Sequence, residues 1–320
     1  MEKLNYRRTF FIGLAFLSIC AFWQMYDNVI PLILQNTFHL NETFTGAIMA
    51  ADNILAVFLL PFFGTLSDKA NTRLGKRTPF IIVGTSIAVL FLMVLPFADK
   101  KQNFIMFVIC LAVLLVAMGF YRSPAVALMP DLTPKPLRSK ANAVINLMGA
   151  IGGVYTLLLI RFLVKGGTSP DYTAVFAGVA FLMVVAVILL VVTVKEKKNA
   201  AEIEKEEIEE EEIAGETVAA NTKELPRSVK KSLYMILLSI FFWFAAYNAV
   251  TTAFSRYAVK VWKLEGGGFA DCLMVATVAA ILSYIPIGII SEKFGRKKCI
   301  QGGLVLFSRY IIRQLILDLY

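Results

Sequence analysis

The sequence is poor in the residues that carry most enzyme chemistry. It has one histidine, His39, and four cysteines, Cys20, Cys110, Cys272 and Cys299, none in CxxC spacing and all inside or at the edge of apolar stretches. Neither a disulfide framework nor a zinc site can be built from that set, and nothing resembles HExxH, so the reading is of a protein that is not an enzyme and holds no metal. His39 reads as a solvated loop residue and the cysteines as small buried hydrophobes. Charge is also scarce, at 17% of residues against about 25% in a soluble domain. The net charge of +9 comes from bases that lie between apolar stretches. That pattern points to loops at a membrane surface rather than to a nucleic-acid partner.

What fills the chain instead is apolar residue, 58% of it, in blocks of roughly 20, the length that crosses ~30 Å of hydrocarbon as a helix. Spans are expected near 10–34, 44–66, 79–97, 104–121, 141–163, 173–194, 233–255 and 269–290, with a ninth run from Cys299 broken by Arg309 and Arg313. Only helices satisfy their own backbone over such lengths, so the fold class is an all-α polytopic membrane protein lodged in the cell membrane and surrounded by lipid. Bases cluster before span one and after spans two, four and eight. Those loops and the N-terminus are therefore expected on the cytoplasmic side.

The chain divides into a six-span unit (1–194), a cytoplasmic acidic linker (195–231) and a shorter region (232–320). The linker contains the run Glu202 to Ile213, which reads as a solvating tether or, alternatively, a regulatory or metal-binding segment. Spans one and two recur as seven and eight. Gly64, Asp68, Lys69, Gly75 and Arg77 after span two correspond to Gly288, Glu292, Lys293, Gly295 and Arg296 after span eight. Phe22, Trp23 and Asn28 correspond to Phe242, Trp243 and Asn248. Two parallel six-helix repeats are the plan of a major facilitator transporter, here with its first half complete and its second half partial. On that plan about four helices are missing, and the chain is expected to be C-terminally truncated, leaving a non-transporting remnant as one reading.

Two motifs narrow the resemblance. The stretch from Ala70 to Phe80, containing Arg73, Gly75, Lys76, Arg77 and Pro79, resembles the longer loop of the glycoside-pentoside-hexuronide and sucrose-transporter branch. The run Tyr121-Arg122-Ser-Pro to Asp131-Leu-Thr-Pro134 is similar to the junction of spans four and five in the same branch. The resemblance implies symport of a sugar, a disaccharide or glycoside, driven by protons or sodium, by a monomer without a cofactor. Residues 56–61 lack the paired aspartates of sodium-coupled melibiose carriers, which favours H+ as the coupling ion. Asp27 and Asp52, at similar depth in spans one and two, are the carboxylates left to carry it. A water-exposed vestibule is the alternative for both.

Sugar binding asks for aromatic faces and paired hydrogen-bonding groups. Trp23, Gln24, Tyr26 and Asn28, with Trp243, Tyr247 and Asn248, are the candidates. Asn142 and Asn146 are further ones, with helix-to-helix hydrogen bonding the equal alternative. Gly149 and Gly153 read as close-packing positions. A gating role is expected for Gly64, Asp68 and Arg77 and their counterparts Gly288, Glu292 and Arg296, the acids pairing with the bases across helix ends. Arg122 and Asp131 are expected either to pair and couple substrate to gate, or to be a snorkelling base and a helix cap.

Overall fold

The computed structural model describes residues 4–165, 170–203, 227–264 and 267–317, without the side chains of 227, 228, 284, 285, 288, 289, 291, 292, 296, 311, 312 and 314–317. Nine long helices account for most of these residues: α1 (Tyr6–Asn36), α2 (Glu42–Lys69), α3 (Thr78–Lys100), α4 (Phe104–Asp131), α5 (Arg138–Leu163), α6 (Thr173–Thr193), α7 (Arg227–Lys260), α8 (Phe269–Phe294) and α9 (Arg296–Leu317). Among the described residues there is no sheet, only an isolated bridge between Thr72 and Gly75. Seven helices, α1 to α7, are long and apolar enough to cross a membrane, and α8 adds a shorter apolar stretch, Phe269–Ser283. The expected eighth span is thus a helix whose described apolar part is short. The acidic run from 204 onward lies outside the described residues.

The chain forms two compact units, residues 1–271 and 272–320. The second holds the remainder of α8 and α9, joined at Gly295, whose φ of +87° is a left-handed conformation that glycine adopts without strain. The first contains the hydrophobic interior and is organised around α1. That helix is buried from Thr9 to Leu34 along most of its length and contacts α2, α4, α5, α6 and α7. Side-chain capping starts three of the helices, with Asn5, Asn41 and Asn103 accepting the backbone N–H of Arg8, Phe44 and Met106.

Between membrane helices there is little hydrophobic drive to associate, so close fit and interhelical hydrogen bonds carry the packing. The closest fit is between α1 and α5. A Cβ on Gly152 would overlap the Leu17 carbonyl, one on Gly149 would come within 2.8 Å of the Cys20 sulfur, and one on Gly13 within 2.8 Å of Met148. Gly153 has only the Gln24 side chain near it, at 3.6 Å. The close approach expected of the Gly149 and Gly153 pair is therefore made by Gly149 and Gly152. Hydroxyls fasten the same assembly. Thr156 donates to the Ala21 carbonyl at 2.9 Å, Tyr121 to the Ala15 carbonyl at 3.0 Å, and Ser123 to the Leu60 carbonyl at 2.8 Å, while Tyr121 and Ser18 share a further bond. These bonds cross α5 to α1, α4 to α1 and α4 to α2.

Because Gly152 has no room for a methyl group, Gly152→Ala should destabilise the detergent-purified protein by about 1–3 kcal/mol, the usual size of an overpacking cost. Gly153→Ala should fall within about 0.5 kcal/mol of the parent. Paired thermal-unfolding curves of the two variants check this ordering.

Candidate functional site

Midway along α1, five polar or aromatic residues follow within six positions: Trp23, Gln24, Tyr26, Asp27 and Asn28. The rings of Phe22, Trp23 and Tyr26 contact one another, with Trp23 edge-on to Tyr26 at 5.3 Å between centroids. Tyr26 is wholly buried and Asn28 nearly so. Asn28 donates its amide to the Gln24 carbonyl at 2.8 Å, one helical turn back. Its Oδ1, the indole Nε1 of Trp23 and the hydroxyl of Tyr26 are buried and have no hydrogen-bond partner among the described residues. Three orphaned polar atoms on one stretch of helix are unusual, because each buried unsatisfied group costs about 1–3 kcal/mol.

Trp23, but neither Tyr26 nor Asn28, lines a small cavity of about 20 Å³ together with Asp52, Leu55, Ala56, Leu59, Leu60, Leu115, Gly119 and Arg122, drawn from α1, α2 and α4. Asp52 accepts a 2.8 Å bond from the neighbouring Asn53 amide. Asp27, Asp52 and Arg122 are close enough to act on one another electrostatically. Arg122 also stands over the Trp23 ring, 5.5 Å from its centroid, a cation–π contact. The cluster therefore combines two carboxylates, one guanidinium, an aromatic face and unpaired donors and acceptors.

This placement corrects the expected pairing of Arg122 with Asp131. Nine residues separate them on one helix, two and a half turns, so they lie on opposite faces and about 13 Å apart along the axis. Arg122 belongs to the cavity, and Asp131 sits at the helix end, where it accepts from Nε of Arg77 at 2.9 Å. Arg77, only 6% exposed, also pairs with Asp68 and donates to Ser67, and its Nη1 reaches the Gly64 carbonyl at 3.4 Å. Burial alone would make that guanidinium easier to deprotonate, but the bonds to Asp131 and Asp68 outweigh it and raise its pKa. Gly64, Asp68, Arg77 and Asp131 are thus brought together, all within α2, α3, α4 and their loop. On the second repeat, the side chains of Gly288, Glu292 and Arg296 lie outside the described residues.

Glu196, which sequence reasoning passed over, completes this end of the bundle. Its carboxylate accepts the backbone N–H groups of Lys76, Arg77 and Thr78 at 2.7–3.1 Å and the Thr78 hydroxyl at 2.7 Å. It is the cap that α3 lacks from its own chain, an anion placed at a helix N-terminus where the free N–H groups and the dipole favour it. Gly75, with φ of +122°, makes room, since a Cβ there would overlap the Glu196 carboxyl. The one hint in sequence was an isolated acid among Lys195, Lys197 and Lys198.

The remaining candidates are not brought to the cavity. Asn142 and Asn146 lie on the exposed flank of α5, because Ala141, Ile145, Met148 and Gly149 form the face turned to α1. Trp243 and Tyr247 are 56% and 55% exposed and Asn248 is half-buried, since the buried residues of α7 lie toward its far end, at Ser255 and Ala258. At the opposite end of the bundle from Arg77, two ion pairs that sequence reasoning missed join the repeats: Arg161 with Asp271 at 2.8 Å and Lys260 with Glu42 at 3.2 Å.

A polytopic helical bundle with unpaired polar atoms and a carboxylate pair turned inward has the makeup of a membrane transporter. The sequence profile described as the Major Facilitator Superfamily matches residues 12–309, and the chain belongs to that family. The chain is 27% identical over 151 residues to the sucrose transport protein SUC3 of Arabidopsis thaliana, covering 41% of this chain and 25% of that protein. It is 21% identical over 277 residues to the general alpha-glucoside permease of Schizosaccharomyces pombe, covering 78% and 50%. The chain thus spans a quarter to a half of the length of these relatives. Its fold matches the partially occluded, inward-open xylose transporter XylE of E. coli with a TM-score of 0.59 at 15% identity, over 91% of this chain and 73% of that one.

Replacing Arg77 by Lys removes the planar fork that serves Asp68, Asp131 and Ser67 together. Because both carboxylates are partly exposed and can rehydrate, we expect a loss of about 1–2 kcal/mol rather than the larger cost of a fully buried pair. Glu196→Gln keeps the shape but not the charge and should cost about 1 kcal/mol at the start of α3. Thermal unfolding of the two single variants and the double variant measures both, and the losses should depart from additivity because Glu196 accepts the backbone N–H of Arg77 itself.

Proposed function

We propose that the chain acts as a sugar transporter that moves a disaccharide or glycoside together with protons by alternating access, as a monomer. The observation that carries this reading is the orphaned indole Nε1 of Trp23 at the cavity it shares with Asp52 and Arg122, with further orphaned atoms, Tyr26 Oη and Asn28 Oδ1, on the same helix. Sugar hydroxyls are both donors and acceptors and so suit an indole N–H, a phenol and an amide oxygen, while the Trp23 face covers a C–H surface of the ring. The likeness to a sucrose transport protein and a general alpha-glucoside permease supports the same substrate class.

For coupling, Asp27 and Asp52 are the groups that exchange the proton, with Arg122 as the counter-charge that one of them faces when ionised. Intramembrane carboxylates of this kind mark ion pathways. The N-terminus and the loops after α2, α4 and α8 face the cytoplasm, as does the acidic linker. The Arg77 network lies wholly within the first repeat, so its part is to hold the α2–α3 loop in shape. The pairs Arg161–Asp271 and Lys260–Glu42, which join the repeats, are the contacts that break when the outer face opens.

Uptake of radiolabelled sucrose, maltose and lactose into proteoliposomes holding the full chain tests the reading. Accumulation should follow an imposed pH gradient, alkaline inside, and ignore a sodium gradient; no gradient-dependent uptake of any of the three would overturn it. Asp27→Asn and Asp52→Asn should each abolish accumulation while leaving sugar exchange at equilibrium measurable. Trp23→Phe and Tyr26→Phe keep the rings but remove one hydrogen bond each, and should raise KM about 5–10-fold, the equivalent of about 1–1.4 kcal/mol.

A further inference from the structure

Where α3 and α6 run side by side, two cavities follow one another along the same pair of helices. The first, about 400 Å³, lies at the bundle end near the α2–α3 loop and is lined by Arg73, Leu74, Thr78, Val191, Val194, Lys195, Glu196, Lys197 and Lys198. Four cations therefore surround it. Its one acid, Glu196, is already committed to three backbone N–H groups and the Thr78 hydroxyl. Lys198 additionally stands 3.8 Å from Glu202 across an exposed helical turn, a contact of small energy.

The second cavity, about 490 Å³, shares Val191 with the first and continues toward the membrane interior. Its wall is apolar, made by Ile82 and Val89 of α3 and by Val184, Val187, Ile188 and Val192 of α6, with Thr85 and Ser86 its two polar residues. Ser86 is bonded to its own helix through the Ile82 carbonyl. Thr85 is 96% buried by its 4% exposure, and its hydroxyl has no partner among the described residues. It lies seven residues, about 10 Å, along α3 from Thr78 and the basic pocket.

We infer that this continuous groove is a binding site for one anionic phospholipid of the leaflet on the α2–α3 side. The phosphate sits among Arg73, Lys195, Lys197 and Lys198, an ester carbonyl accepts from Thr85, and an acyl chain fills the apolar wall between α3 and α6. Basic pockets between helices at a membrane face suit anionic headgroups, and a bare positive surface would lack both the apolar continuation and the unpaired hydroxyl. The site is separate from the Trp23 cavity and independent of whether the substrate is a sugar.

The test uses the full chain in non-ionic detergent, titrated with dioleoyl phosphatidylglycerol or dioleoyl phosphatidylcholine and read by native mass spectrometry and thermal unfolding. Phosphatidylglycerol should give one saturable adduct and a higher Tm, and phosphatidylcholine neither. The triple variant Lys195→Gln, Lys197→Gln, Lys198→Gln should weaken that binding about tenfold or more. A control of equal charge, Lys140→Gln, Lys297→Gln, Lys298→Gln, should leave it within about twofold. Ser86→Trp, at an exposed position that fills the groove without touching a charge, should weaken binding as much as the lysine triple, which keeps the test decisive if that triple folds poorly. Equal loss in the control triple, equal binding of phosphatidylcholine, or no effect of Ser86→Trp would each overturn the proposal. So would competition by free glycerol phosphate at millimolar concentration. Binding that emerges only after the glutamates of 204–212 are changed to glutamine would assign the pocket to the acidic run instead.

Discussion

The contact on which the first unit depends is the one between α1 and α5, where the Leu17 carbonyl lies against Gly152 with no space for a side chain. In hydrocarbon, helices gain little by hiding apolar surface from water, so association rests on how closely backbones approach and on the few hydrogen bonds formed across the contact. Gly13, Gly149 and Gly152 set that approach, and Thr156 and Tyr121 tie the neighbouring helices to carbonyls of α1. A helix held this firmly along its length can carry polar groups that would otherwise seek lipid-exposed relief or water. On this helix the atoms Trp23 Nε1, Tyr26 Oη and Asn28 Oδ1 are buried without a partner among the described residues.

Charge is arranged around this scaffold at three depths. In the interior, Asp27, Asp52 and Arg122 form a sparse set in which no carboxylate is consumed by an ion pair among the described residues. At one end, Arg77 and Glu196 are saturated, each bonded by nearly every polar atom it has. At the other end, single pairs such as Arg161–Asp271 are solvent-exposed and individually weak. Saturated networks rigidify, while sparse and exposed ones change state cheaply. The same molecule thus has a saturated end, a sparsely paired middle and an end held by single exposed pairs.

Much of this was legible in the sequence, though unevenly. The helices α1 to α6 lie where the apolar blocks place them; α1, α2, α3 and α5 run a few residues past their blocks, as at Glu42 and Lys69 of α2, α4 continues well beyond its block to Asp131, and α6 stops at Thr193. Trp23, Tyr26, Asp27, Asn28 and Asp52 stood out as polar residues inside spans, and the structure gathers them. The recurrence of Phe-Trp and Asn on α7 suggested an equal partner, yet Trp243 and Tyr247 are exposed. Asn142 and Asn146 were placed on the right helix but not on its inward face. Of the two readings of Arg122 and Asp131, a coupling pair or a snorkelling base and a helix cap, the pair is excluded because 3.6 residues per turn sets them on opposite sides.

The division has a physical cause. Whether a segment spans the bilayer is a local property, since a helix in lipid satisfies its own backbone and needs only length and hydropathy, so the sequence by itself determined the membrane class, the spans and the repeat of α1–α2 in α7–α8. Which side of a span faces its neighbours is not local. Helices as uniformly apolar as α4 and α6 show almost no preferred face in their residue pattern. Only the tertiary structure decided that Arg122 looks into the cavity, that Glu196 returns from the end of α6 to cap α3 across more than a hundred residues of chain, and that Gly152 rather than Gly153 meets α1.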